Sequence, residues 1–292
     1  MGNKSITSYK GFDKNMQCRG FQYEVGKEYE MDGEIKCCNR GFHACKSPME
    51  VWDYYDMLNS RFAEVEQSGK IDEEEKSTKI CSSRIKIKAE LKLADIINIG
   101  VEWLKDITSP SKVNADGALN DNGDRKKQIG SSGDSAQIGS SGYSAKIGSS
   151  GYSAKIGSSG DSAQIGSSGD YSQIGSSGDS AQIGSSGDSA KIGSSGDYAQ
   201  IGSSGDSAKI GSSGDSAKID STGEDSVIIC AGNSSRAKAK VGSWITLAEW
   251  KWSDEKNHNV PVCVKTEYVD GENVKADTWY QLRNGKFVEV NE

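Results

Sequence analysis

The feature that most constrains this chain is a nine-residue unit, I-G-S-S-G-D-S-A-(Q/K) in consensus, which recurs ten times without a gap over residues 129–218. A fixed short period forces the local fold to repeat as well, so this segment is a solenoid rather than a packed globule. Ala and Ile stand two apart around a polar residue, as in Ala136-Gln137-Ile138 and Ala145-Lys146-Ile147. That is strand parity, with Ala and Ile pointing one way and Gln or Lys the other. The remaining Gly-Ser-Ser-Gly-Asp is turn chemistry, because Gly tolerates positive φ and Ser or Asp side chains bond to nearby backbone. Two glycines and several serines per unit exclude a helix. One Ile and one Ala per nine residues bury too little apolar surface to offset backbone ordering, so hydrogen bonds between stacked coils must supply the rest. The unit therefore predicts a parallel β-solenoid with two units per coil, two thin sheets and a narrow Ala/Ile core. With strands about 4.8 Å apart, the ten units make a rod about 25 Å long.

Such a stack has an open sheet edge at each end, and exposed edges invite aggregation unless covered. Two covers are predicted. Upstream, Leu93, Ile97, Val101 and Leu104 recur at helical spacing within residues 91–107, an amphipathic helix. Downstream, the unit degrades through residues 219–236 and gives way to Trp244-Ile245-Thr246-Leu247-Ala248-Glu249-Trp250, a capping strand. The fold class that follows is β-rich and multi-domain. A small α+β domain occupies residues 1–110, a linker or irregular first coil 111–128, the β-solenoid 129–236 and a C-terminal β-hairpin cap 237–292.

The polar positions of the unit have mundane readings. The repeated Asp invites comparison with calcium-binding nonapeptide rolls, but only one Asp occurs per unit, and Tyr143 and Tyr152 replace it in two consecutive units. A corner Asp capping backbone N–H groups is the simpler role. Lys146, Lys155, Lys191, Lys209 and Lys218 interleave with Gln and predict a solvated face. Eight Asp against these five Lys leave only −3 over the ten units, thin for imitating a duplex with a phosphate every ~1.7 Å.

The net charge of −7 disfavours non-specific binding to nucleic acid or anionic membranes. No apolar run is long enough to span a bilayer, and the first residues lack the apolar core of a signal peptide. Seven cysteines, an odd number with none in the regular units, predict reduced thiols in a cytoplasm.

At the N-terminal end, residues 9–12 and 20–23 read as short strands. Ser47-Pro48-Met49-Glu50 reads as a helix start, with Ser at the N-cap and Glu at the third position, and the helix continues through Trp52, Tyr54, Tyr55 and Leu58. Strands follow at 61–67 and 83–91, joined by a solvated loop at 72–76. Near the C-terminus, residues 260–269 and 278–282 read as strands, and Asn284-Gly285 is a hairpin signal.

Cys18, Cys37, Cys38, His43 and Cys45 raise the question of zinc. Their spacing lacks the paired Cys-x-x-Cys knuckles that orient ligands, so buried free thiols and no metal are the expectation. The stretch with catalytic flavour is Gly41-Phe42-His43-Ala44-Cys45 followed by the aromatic-rich helix and a strand carrying Glu64 and Glu66. It is similar, distantly, to the nucleotide cleft of ADP-ribosyltransferase-like folds, which would have Glu64 or Glu66 polarise a ribose hydroxyl beside His43; no matching Arg or Ser-x-Ser motif accompanies it. Phe42, His43, Trp52 and Tyr55 are the candidate binding residues, and no cofactor is implied.

Tyr9-Lys10-Gly11-Phe12, Cys18-Arg19-Gly20-Phe21-Gln22-Tyr23, Gly41-Phe42-His43-Ala44-Cys45 and Glu64-Val65-Glu66-Gln67-Ser68-Gly69 resemble an uncharacterised domain of bacteriophage and prophage proteins. Gly242-Ser243-Trp244-Ile245-Thr246-Leu247-Ala248-Glu249-Trp250 and Asp277-Thr278-Trp279-Tyr280 resemble the C-terminal part of the same proteins, in which a Ser/Gly/Ala-rich repeat array lies between. The resemblance implies a protein acting in the host cytoplasm and brings no activity. The function expected is non-enzymatic: a rigid scaffold presenting a globular domain to a host protein, or sequestering a defence component or small nucleotide signal. A nucleotide-processing enzyme and an acidic nucleic-acid mimic are the alternatives. Direct nucleic-acid and membrane binding are not expected; homo-oligomerisation through the stack ends and a well-capped monomer are equally consistent with the sequence.

Overall fold

The computed structural model describes residues 5–74, 77–107, 119–120 and 128–291. The chain divides into two compact units, Met1–Trp103 and Leu104–Glu292.

The first unit is an antiparallel sheet that closes on itself. Its strands are β1 (Ile6–Phe12), β4 (Glu28–Glu30), β5 (Phe42–Cys45), β6 (Arg61–Glu73) and β7 (Lys79–Leu91), with a small β2 (Gln17–Cys18) and β3 (Phe21–Gln22) hairpin beside them. The order is β4-β7-β5-β1-β6, and β7 also pairs with β6. Two register shifts along β6 let that long strand bend round and serve both neighbours. Alternation sends Phe12, Phe42, Ala44, Ala63, Val65, Ile85 and Ile87 inward. Three polar side chains join them. Ser8 donates to Gln67 Oε1 at 2.8 Å, and Gln67 Nε2 donates to the Phe42 carbonyl at 2.6 Å and to Ser82 Oγ at 3.1 Å.

Two expectations change here and a third holds. The helix after Ser47 is a short 3₁₀ turn, Met49–Asp53, with no side-chain cap. It ends early because Asp56 starts a competing turn, its Oδ1 accepting the Leu58 and Asn59 N–H groups at 3.0 and 3.1 Å. The solvated loop is shorter than its charge suggested: Asp72 and Glu73 belong to β6, opposite Cys81 and Ile80, while residues 75–76 lie outside the described residues. The amphipathic helix is present as α1 (Leu93–Ile107), with Ile96, Ile97, Val101 and Leu104 fully buried and Leu93 only partly so. Its Gly100 sits against Met49 of the 3₁₀ turn.

The second unit contains the solenoid. Four-residue strands from Gln128–Ser131 onward pair in parallel with the strand 18 residues later, Ile138 with Ile156 and Ile147 with Ile165. Odd and even units thus build two separate sheets, as the two-unit coil requires. Ile and Ala point into the core between them. The third-position serines, such as Ser149, Ser167 and Ser185, are buried on the same inward side. The array outruns the ten regular units. Leu119–Asn120, within the expected linker, pairs with Ile138 and Gly139; the other linker residues before 128 lie outside the described ones. The degenerate units continue the ladder through Val227–Cys230 and Arg236–Lys238.

Trp244–Ser253 joins one sheet in parallel and then turns back as an antiparallel hairpin with His258–Tyr268. The other sheet ends on the Tyr280–Arg283 and Lys286–Glu289 hairpin, whose Asn284 and Gly285 both have positive φ. The downstream cap is therefore a hairpin on each sheet.

Three features hold the corners. At the seventh position residues such as Ser180 and Tyr198 adopt left-handed φ near 55°, with the Ser180 N–H donating to the Asp197 carbonyl at 2.7 Å. The sixth-position Asp caps backbone as expected: Asp188 N–H donates to Asp170 Oδ1 at 2.9 Å, and its counterparts repeat this one coil apart. The fifth-position glycines stack against each other so closely that a Cβ on Gly178 would overlap the Gly160 carbonyl.

The solvated Gln/Lys face is correct for one sheet only. Gln137, Lys155, Gln173, Lys191 and Lys209 are exposed, whereas Lys146 is 7 % and Gln164 2 % exposed, with Gln182, Gln200 and Lys218 half-buried. On that second sheet the outward glycines at 148, 166, 184 and 202 are buried too, so the outer surface of those strands is withdrawn from solvent. The Gln164 amide is linked along the stack, its Nε2 donating to Gln182 Oε1 at 3.2 Å.

Candidate functional site

Strand parity puts a lysine inside the first unit. On β1, Ser8, Lys10 and Phe12 alternate inward, and Lys10 lies opposite the buried Ala63 of β6. It is 4 % exposed. Its Nζ donates to the His43 carbonyl at 2.9 Å and lies 3.6 Å from Cys18 Sγ. The rings of Phe12 and Tyr23 each stand 5.5 Å away, their faces turned to the amine. Burial pushes the amine below its ordinary pKa, partly countered by Cys18.

The β2–β3 hairpin closes over this amine. Arg19 and Gly20 both carry positive φ, the conformation of a tight two-residue turn, and it sets Cys18 across from Phe21. Cys18 Sγ then lies 2.9 Å from Tyr55 Oη. Phe21 packs edge-on to Tyr23 and Tyr29 at 4.8 and 5.3 Å, and Phe42 follows at 6.4 Å. Burial raises the pKa values of Tyr23 and Tyr55, so both phenols stay protonated donors.

These side chains, Phe12 excepted, line a cavity of about 690 Å³. Its walls are largely aromatic, Lys10, Arg19, His43 and Lys79 supply basic groups, Glu28 and Glu30 supply carboxylates, and it is large enough for a nucleotide-sized molecule. His43 Nε2 accepts the Cys38 N–H at 3.0 Å, and burial, then Lys10 and Arg19, lower its pKa, keeping the ring neutral. A planar ligand could stack on the rings while a carbonyl or anionic oxygen met Lys10. A buried amine beside a thiol and a phenol could also act as a nucleophile.

Of the residues singled out from the sequence, Phe42, His43 and Tyr55 line this cavity. Trp52, Glu64 and Glu66 do not. Trp52 is buried in the 3₁₀ turn. Glu64 lies opposite Tyr9 on β6, with β1 between it and β5, and its carboxylate is 3.4 Å from Lys88 Nζ. Lys10 and Arg19 escaped the sequence reading. The signal for Lys10 was its parity, a lysine at the inward register of a strand shared with Ser8 and Phe12.

Residues 6–99 match the family described as Domain of unknown function (DUF7666). The match takes in every strand of the closed sheet and the whole cavity. No curated protein and no solved structure matches the chain.

Proposed function

We propose that this is a non-enzymatic binding protein whose N-terminal domain captures a small planar ligand bearing a carbonyl or anionic group, of the nucleotide class, while the solenoid serves as a stiff scaffold. The observation that carries the reading is Lys10, a buried amine held among aromatic faces at the wall of a nucleotide-sized cavity. The transferase alternative draws no support from the geometry, since neither Glu64 nor Glu66 reaches the cavity wall. The acidic-mimic alternative rests on a repeat charge of only −3, thin for imitating a duplex. The resemblance to phage proteins extends the proposal to capture of a host signal in the host cytoplasm.

Mass spectrometry of the fraction released on heating, followed by calorimetric titration with mono- and dinucleotides, tests this. Binding that is lost in Lys10→Met and in Phe21→Ala, both still folded by circular dichroism, supports it. A protein that releases nothing and binds none of the panel overturns it. Turnover of the bound nucleotide would replace it with an enzymatic reading.

A further inference from the structure

A second constellation lies in the N-terminal domain, where the donor atoms of Cys37, His43 and Cys81 all fall within 4.8 Å of one another. Three separate pieces of chain bring them there. His43 on β5 and Cys81 on β7 are direct partners in an antiparallel pair, so their side chains leave the sheet on the same face, with Cβ atoms ~4.5–5.5 Å apart. Asp72 of β6 faces Cys81 from the other side, extending the row.

Cys37 arrives from above on a tight loop. Lys36 and Arg40 close that loop by exchanging both backbone hydrogen bonds at 2.9 Å. Cys38 sits in the left-handed region at φ 65°, and Gly41 at φ 139° passes so near Cys81 that a side chain there would be crowded. Asp72 holds the loop down: its Oδ2 accepts the Cys37 N–H at 2.8 Å, and its carbonyl accepts the Cys37 thiol at 3.2 Å. The Cys38 N–H donates to His43 Nε2, which turns that lone pair toward the cysteine loop.

We propose that Cys37, His43 and Cys81 bind one zinc ion, with Asp72 as the residue that positions Cys37. Two thiolates and an imidazole are the donor set that zinc favours. Metal–ligand bonds of about 2.0–2.3 Å require donors somewhat closer than 4.8 Å, a contraction that rotation of Cys37 and Cys81 supplies. Binding expels the two thiol protons to solvent, and the imidazole exchanges its contact with the Cys38 amide for the metal. No electrons move. Three protein ligands leave the fourth position of the tetrahedron for water, and His43 and Cys38 also line the aromatic cavity, so that position lies next to the cavity wall.

The test is a cobalt titration of the full chain, purified in reductant and stripped with chelator. The expected result is one equivalent bound, with thiolate-to-cobalt charge transfer and the visible bands of a tetrahedral ion, both erased by one equivalent of zinc. Cys37→Ser, on the partly exposed loop, and Cys81→Ser each abolish the charge-transfer band, whereas Cys18→Ser retains it. Zinc also raises the thermal midpoint of the wild type and not of Cys37→Ser, with the solenoid's circular dichroism unchanged in both. Absence of the tetrahedral spectrum in the wild type, its survival in both serine variants, or a Cys37–Cys81 disulfide in the reduced preparation overturns the proposal. None of these readouts depends on a ligand in the aromatic cavity.

Discussion

Asp179 and Asp197 occupy the same corner of successive coils, and the Asp197 N–H donates to Asp179 Oδ1 at 2.8 Å. The same bond links Asp161 to Asp179, Asp188 to Asp206 and Asp197 to Asp215, and it continues into Glu224 and Asn233 when the consensus fades. The repeated acid is thus a backbone acceptor that ties each corner to the next.

Asp179→Ala should leave the Asp197 N–H without that acceptor and cost about 1 kcal/mol, while Asp179→Asn, which keeps a side-chain oxygen, should cost less. Urea denaturation followed by far-ultraviolet circular dichroism checks this. Equal losses in both variants would mean the acceptor role is not what matters.

Glycines of the same unit should respond oppositely to a methyl group. Gly178→Ala places a Cβ against the Gly160 carbonyl and should destabilise by about 1–3 kcal/mol or more. Gly175→Ala meets open space and should change stability by well under 1 kcal/mol. Hydrogen exchange of the amides in the adjoining coils reads both.

Lys10 should leave a pH signature. Burial depresses its native pKa, so between that value and the ordinary ~10.4 the unfolded chain holds more protons than the folded one. Stability from this group therefore rises with pH through that window and levels off above it. The difference in urea midpoint between wild type and Lys10→Met, measured from neutral to alkaline pH, should show this upward trend; a flat difference contradicts it.

Asp270 gives an acid-side counterpart. Its Oδ2 accepts the Asn273 side-chain amide at 2.7 Å and its Oδ1 the N–H groups of Glu272, Asn273 and Val274 at 2.9, 2.8 and 3.0 Å, and these bonds hold its pKa at about 2. Its contribution is fully present above the ordinary carboxylate range and is lost as pH falls through about 2. A carboxyl chemical-shift titration should give that midpoint, and Asp270→Asn should lack the corresponding loss of stability.

Thiol reactivity should separate by burial. Cys230 is enclosed in the solenoid core and pushed up to about 12, so at pH near 8 it should react with a thiol reagent far more slowly than exposed Cys38. Mass mapping after timed alkylation decides the order.

The solenoid was legible because a nine-residue period and the Ala-x-Ile parity are local, so each unit repeats its own instruction. What parity cannot reveal is coverage: Lys146 and Lys155 have the same neighbours in sequence, yet one is buried and the other exposed. The N-terminal site was half legible. Phe42, His43 and Tyr55 stood out by type, but Lys10 matters only because β6 and β5 enclose it. Cys81 entered no cysteine pattern because its proximity to His43 is set by strand pairing, which spacing does not record. The Ser47-Pro48 signal failed because Asp56 offered the chain a nearer turn.

The 18-residue offset of the ladder bears on how such a chain can lengthen. Gaining or losing one nine-residue copy would send every later strand to the opposite wall and deliver the terminal hairpins to the wrong edges. Gaining or losing two leaves them seated and only alters the stack by one storey. Copy-number variants of this protein that fold should therefore differ in pairs.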